Sequence, residues 1–265
     1  MNKLKIIVGY ILAFISMILV TVLVALVILK VTLANKNYVK DLLESNNYYS
    51  NVSEEILDKM KYYMASSGLP ENILEDIYSK EDVKEDINLF IDNAYIGSKT
   101  DVNVEKLVSK LNSNIDNYVS DHKVKITSQN YIDSFVKNMT SIYEKEVNLY
   151  GIVNGYLKYI PKIIKLINQL LIICGILLLV NIVGLVLLKV GYISSIFMAS
   201  ALIIIFVRMM FYEKIDYHNI LIISSDFSNM VKIGIDRLSF MALISSICLF
   251  LIGILLNLSK SLFKK

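Results

Sequence analysis

Two cysteines and two histidines are all the soft metal-ligating chemistry that this sequence contains, and their positions decide what they can do. Cys174 and Cys248 both fall inside long apolar runs, so they suit neither a disulfide framework nor a thiolate metal cluster and read as small buried hydrophobes. His122 stands beside Asp121, and His218 two residues after Asp216. Neither belongs to a helical His pair or an HExxH motif, which leaves each as a residue of a solvated turn. Glu81, Asp82, Glu85 and Asp86 gather enough carboxylates to attract a hard cation such as calcium. Lys80 and Lys84 are interleaved with them and the EF-hand spacing is missing, which is the pattern of a solvated helix face. No GxSxG elbow, Gly-rich phosphate loop or GK[ST] occurs. The expectation is a chain without catalytic residues, bound metal or cofactor, and not an enzyme. Asn51-Val52-Ser53 and Asn138-Met139-Thr140 match the glycosylation acceptor pattern, which chance supplies in a chain so rich in Asn. The abundance of Ile, Lys, Asn and Tyr suggests an AT-rich bacterial genome.

The elements that must position any site are membrane helices. Ile6 to Leu29 is a run of 24 residues without a charge, and about 20 mainly apolar residues cross roughly 30 Å of hydrocarbon. Further spans are predicted at about 163–188, 192–211 and 238–258, with Tyr10, Tyr159, Tyr192 and Tyr212 as interfacial aromatics. The first run exceeds the roughly 7–15 residues of a signal-peptide apolar region, so it reads as a retained anchor. Lys189 to Gly191 links spans two and three as a tight antiparallel hairpin. The fold class expected is all-α, a polytopic membrane protein with an extracytoplasmic helical domain between spans one and two. Its parts are an N-terminal span (1–30), a stalk and head domain (31–161) and a three-helix membrane domain (162–265) with an outer loop at 212–237.

Polar residues in the spans are the remaining sites. None of the spans carries Asp, Glu, His or Lys in its middle, which argues against a proton relay or coupled-ion site. Arg208 lies about one turn from the outer end of span three, at a depth comparable to Asn168 and Gln169 on span two. It reads either as an interfacial anchor whose stem snorkels or as a polar contact locking spans two and three. Asn181 and Ser200 also match in depth and suit a helix-packing pair worth roughly 1 kcal/mol.

Orientation follows from cations near the span ends. With both termini cytoplasmic, the inside receives Lys3, Lys5, Lys189, Lys260, Lys264 and Lys265 with no acidic residue. Lys30, Lys36, Lys40, Lys158, Lys162, Lys165, Lys214, Lys232 and Arg237 fall on the other side, so the count alone is not one-sided. The basic N-terminal tail favours a cytoplasmic N-terminus and places residues 31–161 outside.

That domain holds 20 Asp and Glu against 14 Lys, a net charge of −6, and so carries no nucleic-acid footprint. Val39, Leu42, Leu43, Tyr49, Val52, Ile56, Met60 and Met64 recur at helical steps, which predicts that span one continues as an amphipathic stalk until Gly68-Leu69-Pro70. Further helices are predicted over 71–78, over 81–95 before Gly97, over 102–119, and from Ser128, whose hydroxyl is placed to cap. The stripes that follow are Val83, Ile87, Phe90, Ile91 and Ala94, then Val104, Leu107, Val108, Leu111, Ile115 and Tyr118, then Ile132, Phe135, Val136, Met139, Ile142 and Tyr143. Gly151, Gly155 and Pro161 mark a hinge before span two, since Pro161 removes a backbone donor. Between spans three and four, Ile220 to Ile223 and Phe227 to Ile235 suit an interfacial helix or a docking surface.

One span, a large external domain and three clustered spans together resemble the permeases of FtsX and MacB-type transporters, which implies coupling to a cytoplasmic ATPase. Those permeases carry a basic amphipathic segment before span one and a substantial cytoplasmic connection between spans two and three; here the corresponding segments are Met1 to Lys5 and Lys189 to Gly191. Ser67 to Leu74 and the Val83 to Gly97 helix are similar to uncharacterised four-span proteins of low-GC Gram-positive bacteria, a resemblance that implies no activity. Two functions are expected from these readings. One is a non-catalytic envelope protein whose head binds a membrane or envelope protein; the other is a transporter or channel component that needs a homo-oligomer or partner to form a pathway. The lipid bilayer is a partner in both.

Overall fold

In chain order the helices are α1 (Lys3–Val31), α2 (Lys36–Ser45), α3 (Tyr48–Ala65), a 3-10 turn (Glu71–Leu74), α4 (Lys80–Ile96), α5 (Glu105–His122), α6 (Gln129–Val147), α7 (Ile160–Leu187), α8 (Ile193–Lys214) and α9 (Ser225–Leu262). They come from a computed structural model that describes residues 3–65, 67–98, 102–123, 128–148, 158–214 and 225–262, among which no strand occurs. α1, α7, α8 and α9 are long and apolar enough to cross a membrane. The chain divides into two units, Met1–Val39 with Lys162–Lys265, and Lys40–Pro161.

In Lys40–Pro161 the helical stripes turn inward as their spacing predicts. Met60, Val83, Ile87, Ile91, Leu111 and Met139 are completely buried, each worth roughly 1.5–3 kcal/mol relative to exposure. α3 packs on α4 and α6, while α5 lies on the 3-10 turn and α6. Ser79 caps α4 through a capping box: its hydroxyl accepts from the Asp82 amide at 3.1 Å, and the Asp82 carboxylate accepts from the Ser79 amide at 2.8 Å. Gly97 ends α4 in the left-handed region at φ 78°, where a side chain would be strained.

Three predicted elements differ. The stalk is not one helix: Asn35 and Asn47 interrupt it. The Asn35 side chain accepts from the Asn37 amide at 3.1 Å and opens α2, and Asn47 takes a left-handed φ of 52° between α2 and α3. Asn bonds its own neighbouring backbone and tolerates that region, so it stops a helix that apolar periodicity alone would extend. The helix predicted over 71–78 is a single 3-10 turn. Asn114 donates to the carbonyls of Ile73 and Glu75 at 2.9 Å each, and Lys110 donates to that of Asp76, so α5 takes the acceptors that a longer helix would use. Ser128 stands at the start of α6 but its hydroxyl makes no capping bond.

In the membrane unit, α1 and α8 run parallel and α9 runs back along α8. Gly9 faces Val190 and Tyr192 at the short α7–α8 connection, and Tyr10 stacks on Tyr192 with ring centroids 4.9 Å apart. α7 buries Ile160, Ile167, Cys174 and Asn181, seven residues apart, and then Leu185. A seven-residue seam gives a helix one line of contact, and that line meets Leu19, Leu23 and Leu26 of α1. The segment predicted as an outer loop at 212–237 is shorter than expected: α8 reaches Lys214, and Ser225 to Arg237 belongs to the same helix as span four. The apolar residues 227–235 continue the periodicity of that span, which is why they form no separate interfacial helix. Ile220 to Ile223 and His218 lie outside the described residues.

Candidate functional site

Close approach of backbones builds the membrane site. Ser200 and Ala201 of α8, Ser16 of α1 and Ser246 of α9 are completely buried, and such small side chains let helices approach. At Gly253 of α9 an added Cβ would lie 2.5 Å from Met198 Cγ and 3.0 Å from the Ser194 carbonyl oxygen. Ser200 Oγ donates to Ile196 O of its own helix at 2.9 Å and to Met17 O of α1 at 3.0 Å, sharing one hydrogen. The predicted pairing of Ser200 with Asn181 is therefore replaced by a bond to α1. Asn181 is buried, and its amide donates to Leu177 O in its own helix at 2.8 Å. A hydroxyl or amide that can reach the carbonyl four residues back satisfies itself without a neighbour. The Ser16 hydroxyl has no hydrogen-bond partner among the described residues.

Of the two readings of Arg208, an interfacial anchor or a contact between spans two and three, the second is replaced by a contact between α8 and α9. Arg208 Nε donates to Ser239 Oγ at 2.8 Å and to Ser239 O at 3.1 Å, joining α8 to α9. Asn168 is half-buried on α7 and Gln169 is exposed. Beside Arg208 a cleft of about 320 Å³ opens between α1, α8 and α9, walled by Val24, Ile28, Val207, Leu238 and Ala242 with Thr21 and Ser239 among them. Pro161 is the second residue of α7 and so starts that helix instead of bending it; a missing amide proton costs nothing in a first turn. Gly151 and Gly155 lie outside the described residues.

The acidic cluster of α4 divides by burial. Glu81 and Glu85 are exposed, whereas Asp82 and Asp86 are half-buried and bonded. Lys106 of α5 forms an ion pair with Asp82. Burial alone would raise the Asp82 pKa, but the hydrogen bonds from Lys106 and Ser79 outweigh it and hold the carboxyl below its ordinary value. Asp86 Oδ2 accepts from the Tyr143 hydroxyl at 2.6 Å, and a pocket of about 210 Å³ lined by Tyr78, Asp82, Glu85, Asp86, Lys106 and Tyr143 lies beside it. Burial pushes the Asp86 pKa up and the charges of Asp82 and Glu85 add to that, against the Tyr143 bond. Burial raises the Tyr143 and Tyr78 hydroxyls as well, and it pushes Tyr49, with help from Glu44, up to about 12.

An acid whose folded pKa is raised destabilises the fold once pH exceeds that raised value, and the penalty vanishes below its unfolded value of 3.8. Asp86→Asn keeps an oxygen for Tyr143 and removes the charge. The variant is expected to melt at or above the wild-type temperature at neutral pH, with the difference closing as pH falls below 3.8. Thermal unfolding of both proteins across that range, followed by circular dichroism, checks it.

One bonded group escapes sequence reasoning. Lys59 Nζ of α3 sits 2.7 Å from Glu55 Oε1 and 2.6 Å from Glu146 Oε1 of α6, and Glu146 is only 5% exposed. The signal was its place on the Phe135–Met139–Tyr143 face, where a carboxylate needs a cation. His122, exposed in the last turn of α5, lies beside the Tyr118 ring, tilted by 33° with centroids 4.4 Å apart. Among the described residues, no three His, Cys, Asp or Glu side chains come together as metal ligands. No family model, no curated protein and no solved structure matches this chain.

Proposed function

We propose that this chain is a non-catalytic integral protein of a bacterial plasma membrane whose helical head, Lys40–Pro161, stands outside the cytoplasm and binds a protein partner at the cell envelope, with both termini inside. One observation carries the reading: the head uses several half-buried and buried ionisable groups to join its own helices. Asp82 binds Lys106, Asp86 binds Tyr143, Glu146 binds Lys59, and Lys40 binds Asp92 at 2.8 Å. Such ties hold a rigid scaffold, and a rigid scaffold presents surface residues to a partner at low entropic cost. Tyr62 of α3, 86% exposed, is the large apolar side chain most open to that partner. The permease reading has less support, because only residues 188–192 separate α7 from α8, too little for an ATPase to grip.

The test begins with topology. Ser98 is exposed just past Gly97, and Ser98→Cys in a Cys248→Ala background should react with a membrane-impermeant thiol reagent on intact cells. Reaction only after lysis would overturn the reading and make the head a cytoplasmic module. A photoactivatable side chain in place of Tyr62 should then give a discrete protein adduct in the same cells; adducts to lipid alone would count against partner binding.

A further inference from the structure

The exposed stripe of α4 changes character along its length. Glu81 and Glu85 open it, Leu89 follows four residues later, and Ile96, the last residue of the helix, closes it at 71% exposed. Positions at steps of four and seven share one face of a helix, so that face passes from charged to apolar within about 23 Å. The apolar end is the one that adjoins a membrane span. A Cβ added at Gly97 would lie 3.4 Å from Pro161 Cγ and 3.9 Å from Pro161 Cβ, and Pro161 is the second residue of α7. α7 has 28 residues, about 42 Å of helix against roughly 30 Å of hydrocarbon, so a centred span leaves about 6 Å at each end among the headgroups. Pro161 lies in that margin, and contact with it sets Gly97 at the same depth. An isoleucine left bare in water loses the gain of burial, and the boundary between headgroups and acyl chains restores it.

We propose that the last turn of α4 is a lipid-contact point, at which Ile96 seats in the bilayer surface where headgroups meet acyl chains. The partner is the lipid itself: the side chain carries no charge and no hydrogen-bonding group, so it selects depth and not headgroup chemistry. Tyr159, exposed immediately before α7, is an aromatic of the kind that settles at the same level. Such a contact requires α7 to be a span, and it forms on whichever side of the membrane the head stands.

The chain contains no Trp, so a single introduced Trp reports on one place. Ile96→Trp, Leu89→Trp and Ile172→Trp alter exposed positions. Each full-length variant is reconstituted in phosphatidylcholine vesicles whose acyl chains carry bromine near the glycerol or near the methyl end, and its fluorescence is compared with that in unbrominated vesicles. Ile96→Trp should lose most of its emission to bromine near the glycerol and little to bromine near the methyl end. Leu89→Trp, about 10 Å further up the axis of α4, should lose less, and Ile172→Trp, at the middle of α7, should show the reverse depth preference. Full emission from Ile96→Trp beside quenched Ile172→Trp would overturn the lipid contact and leave the span standing; full emission from both would remove the span as well. Equal losses for Leu89→Trp and Ile96→Trp would overturn contact through the last turn. A blue shift of Ile96→Trp without quenching would overturn it in favour of cover by protein, such as a second copy of this chain.

Discussion

Gly253→Leu is expected to prevent α9 from seating on α8. The Cβ alone would fall 3.0 Å from the Ser194 carbonyl oxygen and 3.3 Å from the Met198 amide nitrogen, both backbone atoms that move only if the helices part. Met198 Cγ, at 2.5 Å, can swing away, so Gly253→Ala should cost about 1–3 kcal/mol, the usual size of overpacking. A Leu at the same place adds three carbons where one already collides, and the bundle should lose its folded form in mild detergent. Gly175 on α7 provides the control: nothing lies within 4 Å of its added Cβ, so Gly175→Leu should change stability by no more than about 0.5 kcal/mol. Thermal unfolding together with size-exclusion profiles of the three variants decides the matter. An unaltered melting temperature for Gly253→Leu would mean that α8 and α9 are not in close approach.

Lys59→Met has the largest expected effect in the head. It leaves the Glu146 carboxylate, 5% exposed, without the ammonium that lies 2.6 Å away. Removing one partner of a fully buried pair costs about 3–5 kcal/mol. The Lys59 side chain is 35% exposed, so solvent screens part of the loss and about 2–4 kcal/mol is the expected destabilisation. The second substitution separates charge from packing: in Lys59→Met with Glu146→Leu no buried charge remains, and most of the loss should return. Denaturant unfolding of the single and double variants measures this. If the double variant is no more stable than the single one, the cost lies in packing.

Much of this architecture was legible because it rests on periodicity. The stripes Leu42–Leu43–Tyr49–Val52–Ile56–Met60–Met64 and Val83–Ile87–Phe90–Ile91 are buried, with Val39 and Ala94 at their ends half-buried, since apolar residues at three- and four-residue steps have one place to go. Four spans were visible as long apolar runs, with Lys165 and Arg208 near the ends of two of them. What periodicity does not carry is the identity of the neighbour. By sequence Arg208 reads either as an interfacial anchor or, on matched depth with Asn168 and Gln169, as a contact to span two; its Nε faces Ser239 because the Ala201–Ile204–Arg208 side of α8 turns toward α1 and α9. Ser200 reached Met17 of α1 for the same reason. Glu146 was hidden because a carboxylate on a core face reads as an interruption until the ammonium opposite it is known. The two breaks in the stalk hung on asparagines: the Asn35 side chain bonds to backbone in competition with the helix, and Asn47 takes a left-handed φ.

The bond between Ser200 and Met17 joins residues 183 apart. A ribosome making about 5–20 residues per second needs roughly 10–40 s to travel that distance. For most of this interval the first helix is already in the bilayer while α7, α8 and α9, against which it will pack, are unmade. An uncharged run of 24 residues can wait there alone, its exposed backbone groups all satisfied within itself. Its buried serine side, with Ser16 unpaired among the described residues, is then the template on which the later helices assemble, so the order of synthesis makes the first helix the slowest to find its final neighbours.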